Sequence, residues 1–281
     1  MADFDIDRFI GLSGAVKLDD LDWDECRRIG ITEEEARVLL YMGDTETHTI
    51  LYMRDLLAGH SAKDPTITSF LSVWVYEELW HGRAISKLLE VCGYSDPDRY
   101  KTVTEQTSIW EAIEMVLSQG TVYITPKFIA AHMTWGAINE LTAGAAYQSL
   151  EERTKNPVLA ELLRRIVKQE RKHFAFYYSQ AKQRLEGDRF AQKLTSFILR
   201  NFFHVVGAGV GGQDNLDFIA ASMFGTEAER APLREAEKTI HALPGMDWFT
   251  MLTSQVKGMA ERYERNNGPA PSWGKTLEGA A

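Results

Sequence analysis

The chain has 281 residues, enough to bury a substantial core, and its 44% hydrophobic and 25% charged content is that of an ordinary globular protein. Its 31 Lys and Arg against 40 Asp and Glu leave a formal charge of −9, which argues against general nucleic-acid binding. Two cysteines, Cys26 and Cys92, are too few for a disulfide framework and favour a reducing, cytoplasmic setting. No stretch approaches the roughly 20 apolar residues of a membrane span, and the acidic opening from Met1 to Phe9 reads as neither a signal nor a transit peptide.

In chain order, residues 1–31 read as an irregular lead-in with one short helix near Asp5 to Leu12. Thr32 with Glu35 forms a capping box that opens a first long helix, expected to reach Gly59. Its apolar stripe is Leu39, Met42, Ile50, Met53 and Leu57, with Glu46 in the middle and Asp44 off it. Asp64-Pro65 supplies an N-cap and a first-turn proline for a second helix ending at Gly93. Its stripe through Leu71, Trp74, Ile85 and Leu89 carries Glu78, with His81 one turn on. A polar loop from Tyr94 to Lys101 and a short crossover helix from Glu105 to Ser118 follow.

Thr125-Pro126 opens a third long helix reaching Thr154, unusually small around Glu140, where Gly136, Ala137, Ala143, Gly144, Ala145 and Ala146 cluster. That stripe suits close helix packing and a substrate channel equally. Asn156-Pro157 opens the fourth helix and Gly187 closes it. Its inner stripe is Leu159, Leu163, Ile166, Val167, Phe174 and Tyr177, with Glu170 and His173 between. Further helices are expected over Arg189 to Phe203, Asn215 to Phe224, Glu227 to Ala242 and Met246 to Arg265, then a loose tail over 266–281. The glycine-rich turn from Gly207 to Gly212 lacks the lysine and preceding strand of a phosphate loop. With no strand-period segment, the expectation is one all-α domain over 1–281: a four-helix bundle over about 32–187 with accessory C-terminal helices.

Residues three apart on a helix share a face, so Glu78-x-x-His81 and Glu170-x-x-His173 each offer a carboxylate and an imidazole to one metal ion. With Glu46 and Glu140 they complete the set used by di-iron carboxylate bundles: one Glu from each of two helices and Glu-x-x-His from each of the others. The helix lengths agree. Glu46 lies about 13 residues before the end of its helix and Glu78 about 13 after the start of the next, roughly 20 Å each. Glu140 and Glu170 are level by the same measure. Four carboxylates and two imidazoles are too costly to bury unpaired, and two divalent cations balance them. Oxygen ligands with imidazole suit iron or manganese, and the lack of thiolates argues against structural zinc. Glu77 reads as a solvated group or a support for the site, and Trp80, Thr142 and Gln169 are further candidates for its surroundings. Trp74, Trp80 and Trp135 read first as core, and His48, His60, His204 and His241 as surface or ordinary core residues. His132, two turns before Glu140, has a place near the cavity only as its lesser alternative. The basic run Arg164, Arg165, Lys168, Arg171 and Lys172 reads as a solvated face.

Gly43-Asp44-Thr45-Glu46, Trp74-x-x-Glu77-Glu78-x-x-His81-Gly82, and Glu140 followed by Glu170-x-x-His173 resemble the soluble acyl-[acyl-carrier-protein] desaturases. The resemblance runs from about Tyr41 to Phe224, because Phe202-Phe203-His204 and Asp214-Asn215-Leu216 also look like that family. It implies a ferritin-like bundle, a homodimer, and two irons that activate dioxygen with electrons from a ferredoxin. It also implies removal of two hydrogens from an acyl chain held in an apolar tunnel. The residues matching the family's metal ligands are Glu46, Glu78, His81, Glu140, Glu170 and His173. Gln169 stands where the family usually has Asp supporting a histidine, and Ala143 where a threonine is expected, with Thr142 adjacent. An acyl carrier protein is acidic, so the fourth-helix basic run with Lys182, Arg184 and Arg189 is its candidate docking face. Rival expectations are a di-iron hydroxylase or N-oxygenase and a non-enzymatic metal-binding bundle. The N-oxygenase rival is weakened by Ile166 at the place of its third histidine. A radical-generating role needs a tyrosine whose position the sequence does not reveal.

Overall fold

The computed structural model describes residues 4–94 and 125–269, and every regular element among them is helical. A lead-in carries α1 (Ile6–Gly11) and α2 (Trp23–Ile29). Two long helices follow, α3 (Glu33–Ala58) and α4 (Pro65–Val91), joined through a 3₁₀ turn at His60–Lys63. The other long pair is α5 (Phe128–Arg153) and α6 (Pro157–Leu185), and the accessory helices are α7 (Arg189–Phe202), α8 (Gln213–Phe224), α9 (Ala231–His241) and α10 (Met251–Asn267). The expected all-α helical bundle is what forms. The crossover helix expected over Glu105 to Ser118, and the tail from residue 270 on, lie outside the described residues. No helix among the described residues is long and apolar enough to cross a membrane.

The long helices begin where local chemistry says they should. Thr32 Oγ1 accepts from the Glu35 amide at 3.1 Å while Glu35 Oε2 accepts from the Thr32 amide at 2.7 Å, closing the capping box. Asp64 and Asn156 each accept two amides of the first turn of α4 and α6. The third long helix starts at Phe128, two residues beyond Pro126, because Thr125 Oγ1 takes the Lys127 amide in a turn first. Beyond α6, Gly187 adopts a left-handed φ of +72°, a geometry that side chains resist.

Packing is pairwise: α3 lies on α4 and α5 on α6, contacts between α4 and α6 join the pairs, and α7 and α9 lean on α5. Two glycines set how closely these helices approach. A Cβ on Gly82 would sit 2.8 Å from Thr47 Oγ1 and 3.3 Å from the Gly43 carbonyl, so α4 presses on α3 beside Glu46. A Cβ on Gly136 would sit 2.4 Å from the Tyr177 ring, so α5 and α6 are as close.

Three expectations need correction. The lead-in is not irregular after Asp5–Leu12, since α2 forms with Asp22 as its cap, Gly30 (φ +73°) as its stop, and the pairs Arg27–Asp24 and Arg28–Glu25 on its surface. Asn156 Nδ2 fastens it to the start of α6 by donating to the Cys26 and Gly30 carbonyls at 3.1 and 2.9 Å. On α3, Ile50 and Leu57 are 40% and 38% exposed, so the buried stripe does not run the helix's full length. On α6, Phe174 is only partly buried and Phe176 takes the core position, stacked on Phe70 at 3.8 Å with Phe4 against its edge. The lead-in causes this shift, because it covers a bundle face that the helical pattern alone leaves open to water.

Candidate metal centre

The six expected residues meet. Glu46 on α3, Glu78 and His81 on α4, Glu140 on α5, and Glu170 and His173 on α6 converge in the interior, none more than 6% exposed. They form two groups that could each hold a metal ion, one of Glu46, Glu78, His81 and Glu170, the other of Glu78, Glu140, Glu170 and His173. Glu78 and Glu170 belong to both. His81 Nδ1 lies 3.3 Å from Glu170 Oε1 and 3.6 Å from Glu46 Oε2. His173 Nδ1 lies 3.1 Å from Glu78 Oε1 and 3.6 Å from Glu140 Oε2.

The imidazoles are aimed from behind. His173 donates Nε2–H to Glu77 Oε2 at 2.7 Å, and His81 Nε2 meets Gln169 Oε1 at 2.8 Å. The Gln169 amide orientation follows from its own donors, which go to the Gly14 carbonyl at 2.7 Å and Glu77 Oε1 at 2.8 Å. Its oxygen therefore faces His81, an amide oxygen can only accept, and the proton sits on Nε2. In the neutral form that a metal requires, both Nδ1 lone pairs then point inward. His81 Nδ1, His173 Nδ1, Glu78 Oε1 and Glu170 Oε1 are buried without a hydrogen-bond partner. Buried polar atoms are rarely left so. Inward-facing carboxylate oxygens and neutral imidazole nitrogens are what a divalent cation requires, so the donor set fits a metal.

Burial, with Glu46 and Glu170 beside it, pushes Glu78 well above the usual carboxylate range, and burial with Glu170 does the same to Glu140. Burial would also raise Glu170, but the His173 and His81 rings, with Nδ1 at 3.5 and 3.3 Å from its oxygens, hold it below that range. Burial alone would lower both histidines. Glu170 and Glu46 around His81, and Glu140 and Glu170 around His173, raise them well above an ordinary imidazole instead. Without metal, the cluster therefore stores protons on Glu78, Glu140 and both imidazoles. A cation needs these groups deprotonated, so loading should release protons and affinity should fall as pH falls. Calorimetric titration of Mn(II) at neutral pH in buffers of differing ionisation enthalpy should show release of about two protons or more per chain.

Glu77 is a correction in part, because it is fully buried rather than solvated. Burial would raise its pKa, but the bond to His173, the Gly14 amide and Lys172 hold it at about 2. Lys172 Nζ reaches Glu77 Oε1 at 3.0 Å and the Leu12 carbonyl at 3.3 Å, so it is no solvated-face charge. Arg165 is likewise committed, to Asp20 and Glu161, and Arg184 to Asp64. Of the expected docking face, Arg165, Lys172 and Arg184 are thus engaged within the chain, while Arg164, Lys168, Arg171 and Arg189 lie exposed. Replacing Glu77 with glutamine should weaken metal affinity by roughly 10–100-fold through His173 orientation, read by competition with a chromophoric chelator.

Of the other expected neighbours, Gln169 is in place. Trp80 is not, being half-buried beside Tyr76 and Arg83 with its ring turned from the cluster. Thr142 is buried but donates to the Ile138 carbonyl of its own helix at 2.7 Å. Two contacts went unforeseen. Trp74 Nε1 donates to Glu140 Oε1 at 3.0 Å, and the Tyr147 hydroxyl donates to Glu46 Oε1. Spacing could have found both, since Trp74 is one turn before Glu78 and Tyr147 two turns after Glu140.

A cavity of about 660 Å³ opens against Glu46, Glu78, Glu140 and Glu170. Its wall is mostly apolar and includes Trp135, Ala143, Ala146, Ile198 and Phe202, with His132 also on it. His48 and His204 border it too, a place that reading them as surface or ordinary core residues did not assign. Among the small residues of α5, Gly136 packs closely on Tyr177, while Ala143 and Ala146 line the cavity. No family model matches the chain, and neither curated proteins nor solved structures give a match.

Proposed function

We propose that the chain is a di-iron, dioxygen-dependent oxidoreductase acting on an apolar chain, of the kind the soluble acyl-[acyl-carrier-protein] desaturases represent. The observation that carries this reading is the pair of interlocked donor groups, with their inward unpartnered atoms, set against an apolar cavity. Iron is the proposed metal, with manganese second, because the donors are hard oxygens and imidazole without thiolate. The metal pair would supply dioxygen activation and an oxidant able to take hydrogen from an unactivated carbon. The protein's part is to hold Glu78 and Glu170 between the two groups, to fix each Nδ1 through Glu77 and Gln169, and to exclude water with Trp74, Phe70 and the lead-in. Apolar walls orient the chain beside the carboxylates.

An acyl carrier protein as substrate bearer, a ferredoxin-type donor and a homodimer belong to this proposal. Storage of many irons is the weaker reading, because the space beside the centre is walled by apolar side chains rather than carboxylates. The test is anaerobic Fe(II) loading followed by reductant, dioxygen and a panel of free and carrier-linked acyl chains, read by mass spectrometry. Loss of two hydrogens supports desaturation, and gain of one oxygen moves the chemistry to hydroxylation or N-oxygenation. Dioxygen uptake no greater than that of the metal-free chain would sink the oxidase reading.

A further inference from the structure

His132 lies in the cavity wall eight residues before Glu140, about 12 Å along α5. It is 3% exposed, with Tyr52 and Tyr177 edge-on at 6.3 and 6.0 Å. Its Nδ1 is engaged by Ser61 Oγ at 2.8 Å, behind the ring and off the cavity lining. Its Nε2 is buried and has no hydrogen-bond partner. Burial and the nearby Arg184 push its pKa down to about 3, so the ring is neutral and Nε2 offers one uncharged hydrogen bond. A second unmet atom in the same wall is Asn139 Oδ1, next to Glu140. A plain hydrocarbon would leave both unsatisfied.

We infer that the ligand of this cavity is an apolar molecule bearing an uncharged hydrogen-bonding group (a ketone, hydroxyl or amide) that His132 receives while the rest extends toward the metal end. A charged group fits poorly. A cation would meet the field of Arg184, and a carboxylate would be buried against a neutral imidazole. His132 then acts as a specificity-determining residue. Its fixed height above Glu140 sets which atom of the ligand lies against the carboxylates, a consequence that rests on the oxidase reading, whereas the binding does not.

The experiment is displacement of Nile red from the full-length, metal-free chain by n-undecane, its methyl ketone and the primary amide of equal length. The amide, which both donates and accepts, should displace the dye at about tenfold lower concentration than the alkane, the worth of one added hydrogen bond. The ketone, which only accepts, should match it where Ser61 donates to Nδ1 and Nε2 carries the proton. His132→Phe should erase that preference, and His132→Gln, which keeps a hydrogen-bonding end, should restore most of it. Circular dichroism would confirm that both variants fold. Equal displacement by the three ligands in the wild type means that Nε2 is satisfied by water and overturns the inference, as does a preference surviving in His132→Phe. A clear preference in a protein that consumes no dioxygen leaves this inference standing and removes the oxidase reading alone.

Discussion

Replacing Glu170 with alanine should cost the chain both metal ions at once, and replacing Glu78 should do the same. Each of these carboxylates belongs to both donor groups, whereas Glu46 and Glu140 serve one apiece. Elemental analysis after Mn(II) or Fe(II) loading should therefore fall from about two equivalents to roughly none for Glu170→Ala and Glu78→Ala, and to about one for Glu46→Ala or Glu140→Ala. A metal at about a hundred times its Kd should stabilise the wild type by about 3 kcal/mol, and the Glu170 variant by almost nothing. The two bridging positions should still differ when metal is absent. Glu170 is held ionised between two imidazoles, while burial beside other carboxylates keeps Glu78 protonated. Glu170→Gln removes a counter-charge that both imidazoles share, leaving Glu77 to His173, and should lower the metal-free melting temperature. Glu78→Gln replaces one neutral group with another and should change it little. Retention of one full equivalent by Glu170→Ala would show that the groups do not share it.

Gly136→Ala should be a costly methyl group to add. The added Cβ would stand 2.4 Å from two carbons of the Tyr177 ring, so the ring or the helix must shift to admit it. Tyr177 is 1% exposed and has Phe70 and Trp74 against it at 5.0 and 5.9 Å. Overpacking of this kind costs about 1–3 kcal/mol, or roughly 2–4 °C of melting temperature per kcal/mol in a chain of this size. The disturbance should also travel: Tyr177 bears on Trp74, and Trp74 holds Glu140, so metal affinity should drop with stability. Gly144→Ala on the same helix is the control. Its Cβ meets nothing within 4 Å, and alanine favours a helix over glycine by about 1 kcal/mol. Equal melting temperatures for the two variants would mean that α5 and α6 are not locked at Gly136.

What could be read from the sequence was whatever is encoded locally. The capping pairs Thr32–Glu35, Asp64–Pro65 and Asn156–Pro157 mark helix starts through contacts only two or three residues long. The six donor residues were legible because two Glu-x-x-His pairs and the levels of Glu46 and Glu140 are matters of helix arithmetic. The roles of Gly14 and Lys172 were not legible, because both act on Glu77 from a segment or helix distant in sequence. The same limit explains Trp80. An aromatic two residues past Glu78 looks near the site on paper, yet that offset turns it to the other side of α4. The helix α2 was missed because seven residues hold too little periodicity, although Asp22 and Gly30 mark both ends.

The outer wall behind the histidines comes from the lead-in, not from the bundle. Gly14 reaches Glu77 across 63 residues and Gln169 across 155. This strap is synthesised before the long helices, yet its anchor points exist only once α4 and α6 are paired. Contacts so remote in sequence form late. A bundle whose long helices pair before this strap docks has its half-finished heart open to solvent on that side, and an ion entering then has no wall to cross.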